Sequence, residues 1–107
     1  NMFDNTFSVG SEIYATWTNS NKIYLTKVKI IKENKKTWVI EVISPIKNTD
    51  SIFKDKYPYA YPVGQSFTIP KADTPGYSRN NRLIHQLEID EVIKRNKDKI
   101  NYHIGEI

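Results

Sequence analysis

The sequence predicts a mainly β fold: a three-stranded meander, a long crossover loop, closing strands and a short C-terminal helix. Three observations lead there. Apolar and polar residues alternate with a period of two in successive stretches between positions 9 and 43. The breaks between those stretches are short polar runs with turn chemistry. A chain of 107 residues without cysteine forms a single domain on one apolar core, burying roughly 60–70% of its unfolded surface.

The elements follow in order. From Val9 to Trp17, the residues Val9, Ile13, Ala15 and Trp17 share one face, with Glu12, Tyr14 and Thr16 on the other. Thr18 to Lys22 is a hairpin turn. Ile23 to Ile31 is a second strand whose parity changes midway, from Ile23 and Leu25 to Val28 and Ile30, so a bulge is expected near Thr26-Lys27. After Glu33 to Lys36, a third strand over Thr37 to Ile43 turns Trp38, Ile40 and Val42 inward. These three strands make a meander over 9–43. The stretch 44–62 has no sustained period and three prolines. It reads as a long loop, and loops of that length are often functional.

Closing elements are expected over 63–107. Val63 to Pro70 is a strand with Val63, Gln65, Phe67 and Ile69 on one face, ended by its proline. Lys71 to Tyr77 is a turn, and Arg82 to Ile89 a strand bearing Leu83, His85, Leu87 and Ile89 on one parity. Asp90 is placed to cap a helix over Glu91 to Lys97. Ile100, Tyr102 and Ile104 alternate as a last strand.

Composition excludes several classes. Without cysteine there is no disulfide scaffold, zinc ribbon or thiol nucleophile. No apolar run approaches the roughly 20 residues of a membrane span, and the first residues lack the basic and apolar regions of a signal peptide. Asn1 ahead of Met2 reads as a cloning remnant, so an intracellular, cytoplasmic protein is expected. The net charge of +4 invites a nucleic-acid partner. The excess is nearly all lysine, however, in a chain also rich in Ile, Asn and Tyr, which share A/T-rich codons. Genome composition therefore accounts for part of it.

The N-terminal meander resembles the small SH3-like barrels, and Tudor-like domains among them. The residues that carry the likeness are Gly10, Ile13, Ala15-Thr16-Trp17, Tyr24, Val28 to Ile31 and Trp38 to Val42. It covers about a third of the chain. The resemblance implies a small SH3-like, strongly bent barrel of about five strands, of the kind that binds peptides or nucleic acids.

Four groups are candidates for binding. Trp17, Tyr24 and Trp38 come from successive strands and would form a groove for a peptide, or simply pack in the core. Tyr57, Tyr59 and Tyr61 alternate, so in an extended chain their rings line one face. There they would stack on bases, with Lys54 and Lys56 at phosphates, or else lid the barrel. Arg79, Asn80 and Arg82 combine guanidinium forks with an amide that reads base edges; the plainer role is a solvated loop. Lys27 and Lys29 project to one side of the second strand, as a phosphate-tracking stripe or as protection of a solvated face.

Catalysis has little to work with. His85 and His103 lie far apart, no metal-ligand spacing is present, and no glycine loop or nucleophile motif appears. No cofactor is expected. The reading is a non-enzymatic binding module for DNA or RNA, with a protein or peptide partner as the alternative.

Overall fold

The computed structural model describes residues 7–19, 22–48, 54–72, 74–78, 80–96 and 102–104. In chain order these contain β1 (Glu12–Asn19), β2 (Lys22–Glu33), β3 (Thr37–Val42), β4 (Ile46–Lys47), β5 (Tyr59–Tyr61), β6 (Ser66–Pro70), β7 (Arg82–Ile84), a 3-10 turn (Gln86–Glu88), α1 (Ile89–Asn96) and β8 (Tyr102–Ile104). The fold is mainly β. Five strands in the order β6-β3-β2-β1-β7 make a sheet curled into a half-barrel, and the one short helix follows near the C-terminus.

β2 is the longest strand and the spine of the sheet. β1 runs antiparallel along it, in unbroken register from Asn19 opposite Lys22 to Glu12 opposite Lys29. On its other side β3 pairs with the second half of β2, while β8 pairs parallel with Ile23–Leu25 in the first half. β6 then extends the sheet beyond β3, and β7 returns to lie beside β1.

The two parities of β2 feed two cores. Tyr24, Val28 and Ile30 join Ala15, Trp17, Trp38, Ile40, Ile69 and Leu83 in the main core, which draws on all five strands of the sheet. Leu25 instead joins Ile84 and Val92 beneath α1, with Tyr14, Ile89 and Ile93 packed around them. The parity change in the sequence is therefore burial on both faces, not a bulge at Thr26-Lys27. The irregularity falls between Ile30 and Lys32, opposite β3, and leaves Ile31 39% exposed beside a fully buried Ile30. Thr16 is buried for the same reason, although its parity reads as solvent-facing.

Several boundaries shift from the sequence reading. Val9 lies before β1 in a turn closed by Ser11 N–H donating to the Ser8 carbonyl, and it is exposed. Gly10, at φ 93°, lets that turn dock through its N–H on the Ile30 carbonyl at 2.7 Å. Val63 is also exposed, because β6 begins only at Ser66. Before it, Gln65 N–H reaches the Pro62 carbonyl across a tight turn with Gly64 at φ 93°.

The expected strand over Arg82 to Ile89 stops at Ile84. His85 Nδ1 accepts from Leu87 N–H at 3.2 Å, and Glu88 N–H donates to the His85 carbonyl. These local bonds wind the chain into the 3-10 turn and straight into α1, which begins at Ile89 rather than behind an Asp90 cap. Leu87 points into solvent in consequence. α1 carries Asp90 and Glu91 in its first turn and Lys94 and Arg95 in its last, matching the helix dipole. Position 100, the start of the expected final strand, lies outside the described residues; 102–104 do form a strand.

Neighbouring isoleucines test this placement. Ile30→Ala should lower the unfolding free energy by about 2–5 kcal/mol. Ile31→Ala should stay within about 0.5 kcal/mol. Urea titrations of both variants check it, and equal losses would contradict the position of the irregularity.

Candidate binding surface

The long 44–62 segment is where the structure departs most usefully from its sequence reading. β4 and β5 pair antiparallel within it, and Asn48 N–H extends the ladder to the Pro58 carbonyl at 2.9 Å. Ile46 faces Tyr61 and Lys47 faces Tyr59, so β5 carries one residue, Ala60, more than its partner. That extra residue breaks the period of two. Tyr61 goes inward with the buried Ile46, whereas Tyr59 stays outside with Lys47 and is 44% exposed. Tyr57 is 54% exposed. The three tyrosines do not line one face.

Tyr61 closes an aromatic stack over the mouth of the main core. Its ring meets Trp17 edge-on at 5.0 Å and Tyr24 at 4.8 Å, while Trp17 and Tyr24 stack at 5.9 Å as cross-strand neighbours. Phe67 of β6 meets Trp17 at 4.8 Å. Such pairs contribute roughly 0.5–1.5 kcal/mol each beyond their buried area. Asn19 Nδ2 donates to the Tyr61 hydroxyl at 2.9 Å, which ties the β1 end to the lid. Among the described residues, the buried Trp17 indole N–H has no acceptor. Burial pushes the Tyr24 phenol above its ordinary value, and the neighbouring Tyr61 adds to the shift.

Trp38 lies apart, beneath Lys71, whose Nζ sits 4.5 Å from the ring centroid and 2.6 Å from Glu33 Oε2. Trp17, Tyr24 and Trp38 are each at most 7% exposed. The expected groove of these three is therefore absent: all three rings pack in the main core, Trp38 under the Lys71 amine.

The cationic candidates separate into used and free groups. Lys29 is flanked in register by Glu12 on β1 and Glu41 on β3, and Lys27 Nζ lies 3.7 Å from Glu12 Oε1. The expected stripe is thus interleaved with carboxylates. Arg82 is 8% exposed, and its Nη1 holds Glu88 Oε2 at 2.5 Å. A guanidinium buried in an ion pair is not a phosphate contact. It instead fastens β7 to the 3-10 turn. Asn80 is half-buried; its backbone N–H caps the Ser78 hydroxyl, and Asn81 Nδ2 donates to the Gly76 carbonyl. This stretch is built as a turn. Arg79 lies outside the described residues.

Lys54 and Lys56 are exposed as expected, and Lys56 Nζ rests 5.5 Å from the Tyr57 ring centroid. Lys47, which the sequence reading passed over, joins them by pairing with Tyr59. Its signal was slight: an apolar-polar pair, Ile46-Lys47, inside a stretch with no longer period. Lys47, Lys54, Asp55, Lys56, Tyr57 and Tyr59 are thus all exposed on the β4–β5 excursion, with Lys47 opposite Tyr59 and Lys56 over Tyr57.

His85 is engaged as the acceptor for Leu87 N–H. Among the described residues no three His, Asp or Glu side chains gather as metal ligands. No helix among them is long and apolar enough to cross a membrane. Comparison with known proteins finds no matching family model, curated protein or solved structure.

Two outcomes test the packing around this surface. Arg82→Ala should cost about 3–5 kcal/mol, because Glu88 then remains buried without its partner; denaturant unfolding measures it. Tyr24 gives a pH signature. Its folded phenol keeps its proton above the value of 10.0 at which an unperturbed tyrosine releases it. Its stability contribution is complete below that pH and is lost as pH rises through the folded-state value. Unfolding midpoints should therefore fall as pH is raised past about 10, and fall less in Tyr24→Phe.

Proposed function

We propose that this protein is a non-enzymatic binding module that contacts nucleic acid through the β4–β5 excursion. The observation that carries the reading is the exposure of Tyr57 and Tyr59 on the same short excursion as the exposed Lys47, Lys54 and Lys56, with Lys47 opposite Tyr59. Aromatic faces offer bases a stacking surface, and the adjacent amines meet phosphates. Lys27, Lys29 and Arg82 have no part in it: Lys27 and Arg82 lie at carboxylates, and Lys29 sits in register between Glu12 and Glu41. The scaffold is, in this reading, an SH3-like barrel open on one side. The meander of β1 to β3, continued by β6 and closed by a strand that returns to β1, supports that. The cytoplasm is its compartment.

A groove for an extended peptide is the second reading. The half-exposed Tyr61 and Phe67 beside Trp17 favour it, because aromatic-lined surfaces of this kind accept extended chains.

Salt dependence decides between them. Neutralising about three phosphates gives a slope near −2 on a log–log plot for a single strand, so affinity should fall roughly 20-fold from about 50 to 200 mM salt. With Lys27, Lys29, Arg79 and Arg82 also engaged, the fall would be roughly a thousandfold. Fluorescence anisotropy with a labelled oligonucleotide measures it. Lys47→Glu/Lys54→Glu/Lys56→Glu should abolish binding, and Lys27→Gln/Lys29→Gln should change it less than about twofold. An oligonucleotide that does not bind, alongside salt-insensitive capture of peptides, would favour the groove instead.

A further inference from the structure

We infer that the ligand of this surface is a single strand with splayed bases rather than a duplex, an inference that rests on the nucleic-acid reading of the excursion. Three features point to it. A duplex presents two phosphate tracks and hides its base faces, so a duplex reader needs cations spread over a broad face. Here Lys27 and Lys29 on β2 are set among Glu12 and Glu41 rather than presented as a bare cationic row. Lys47, Lys54 and Lys56 are exposed on one narrow excursion that also carries Tyr57 and Tyr59.

The rings supply the second feature. Tyr57 and Tyr59 are both about half exposed, and an exposed ring gains most from a base whose own face is uncovered. Lys56 Nζ rests 5.5 Å from the Tyr57 ring centroid, so a cation sits beside the ring where a phosphate next to a stacked base would lie.

Spacing is the third. Two residues of chain place the Cα atoms of Tyr57 and Tyr59 at most about 7 Å apart, while stacked bases along one strand rise only about 3.4 Å. Neighbouring bases of a regular stack fit between such rings poorly. A strand with separated bases fits, one base to each ring. Pro58 stiffens the backbone between the two positions, so the spacing is set before binding.

The test compares a labelled deoxythymidine oligomer with a duplex of the same length at roughly 50 mM salt. The single strand should bind at least about tenfold more tightly than the duplex. Tyr57→Ala/Tyr59→Ala should lose roughly a hundredfold on the single strand, about tenfold for each ring, while Tyr57→Phe/Tyr59→Phe should retain affinity. Both pairs sit on exposed positions, and an unchanged tryptophan fluorescence spectrum would show that the fold is kept. Equal or tighter duplex binding would overturn this inference and leave the nucleic-acid reading standing. The same holds if the alanine pair binds the single strand unchanged while the lysine reversal abolishes binding. Failure of both probes to bind would overturn the two together.

Discussion

The double burial of β2 is the constraint on which the molecule rests. A strand with one solvated face needs only one core, but the first half of β2 has Tyr24 on one side and Leu25 on the other, both buried. Each face must then be covered. The curl of the sheet covers one, and the return of the chain through β7 and α1 covers the other. The continuous register with β1 holds the two cores together, because Ala15 and Tyr14 are adjacent in one strand yet belong to different cores. Buried volume changes in such a strand are felt on both sides, since interiors pack at near-crystalline density.

A second consequence follows at the open side of the half-barrel. The main core would be uncovered at its mouth without the β4–β5 excursion, which supplies Ile46, Ala60 and Tyr61 as a lid. One extra residue in β5 lets that lid have two characters. Its inner side is apolar and aromatic, and its outer side carries lysine and tyrosine. A segment that packs on one side and stays exposed on the other is held rigid at small cost in binding entropy, because the backbone is already ordered before a ligand arrives. The candidate surface is thus a by-product of how the core is closed.

Much of the architecture was legible in the sequence. The alternation of Ile13, Ala15 and Trp17 and of Trp38, Ile40 and Val42 marked strands with their inward residues, and Pro70 marked the end of β6. The segment from His85 to Ile89 was misread, because its apolar residues alternate as a strand does. Two short-range hydrogen bonds from His85 outweigh that pattern by closing a turn before any strand partner is reached. Of the site, Tyr57, Tyr59, Lys54 and Lys56 were visible as residue types in an aperiodic stretch. Lys47 was not, because its place depends on a cross-strand partner twelve positions away. Arg82 was misassigned because a lone arginine gives no sign of the glutamate that will bury it.

By itself the sequence determined what local rules can determine: which stretches alternate, where turns fall, and that a cysteine-free chain of this length must be held by apolar burial alone. Those properties depend on residues within a few positions of one another. The tertiary structure alone decided which charges are spent and which are free. Lys29 is balanced because two strands bring Glu12 and Glu41 to its sides, and Tyr61 is separated from Tyr59 because β4 is one residue shorter than the stretch it pairs with. Coulomb energy and ring packing depend on distance in space, and only folding sets those distances.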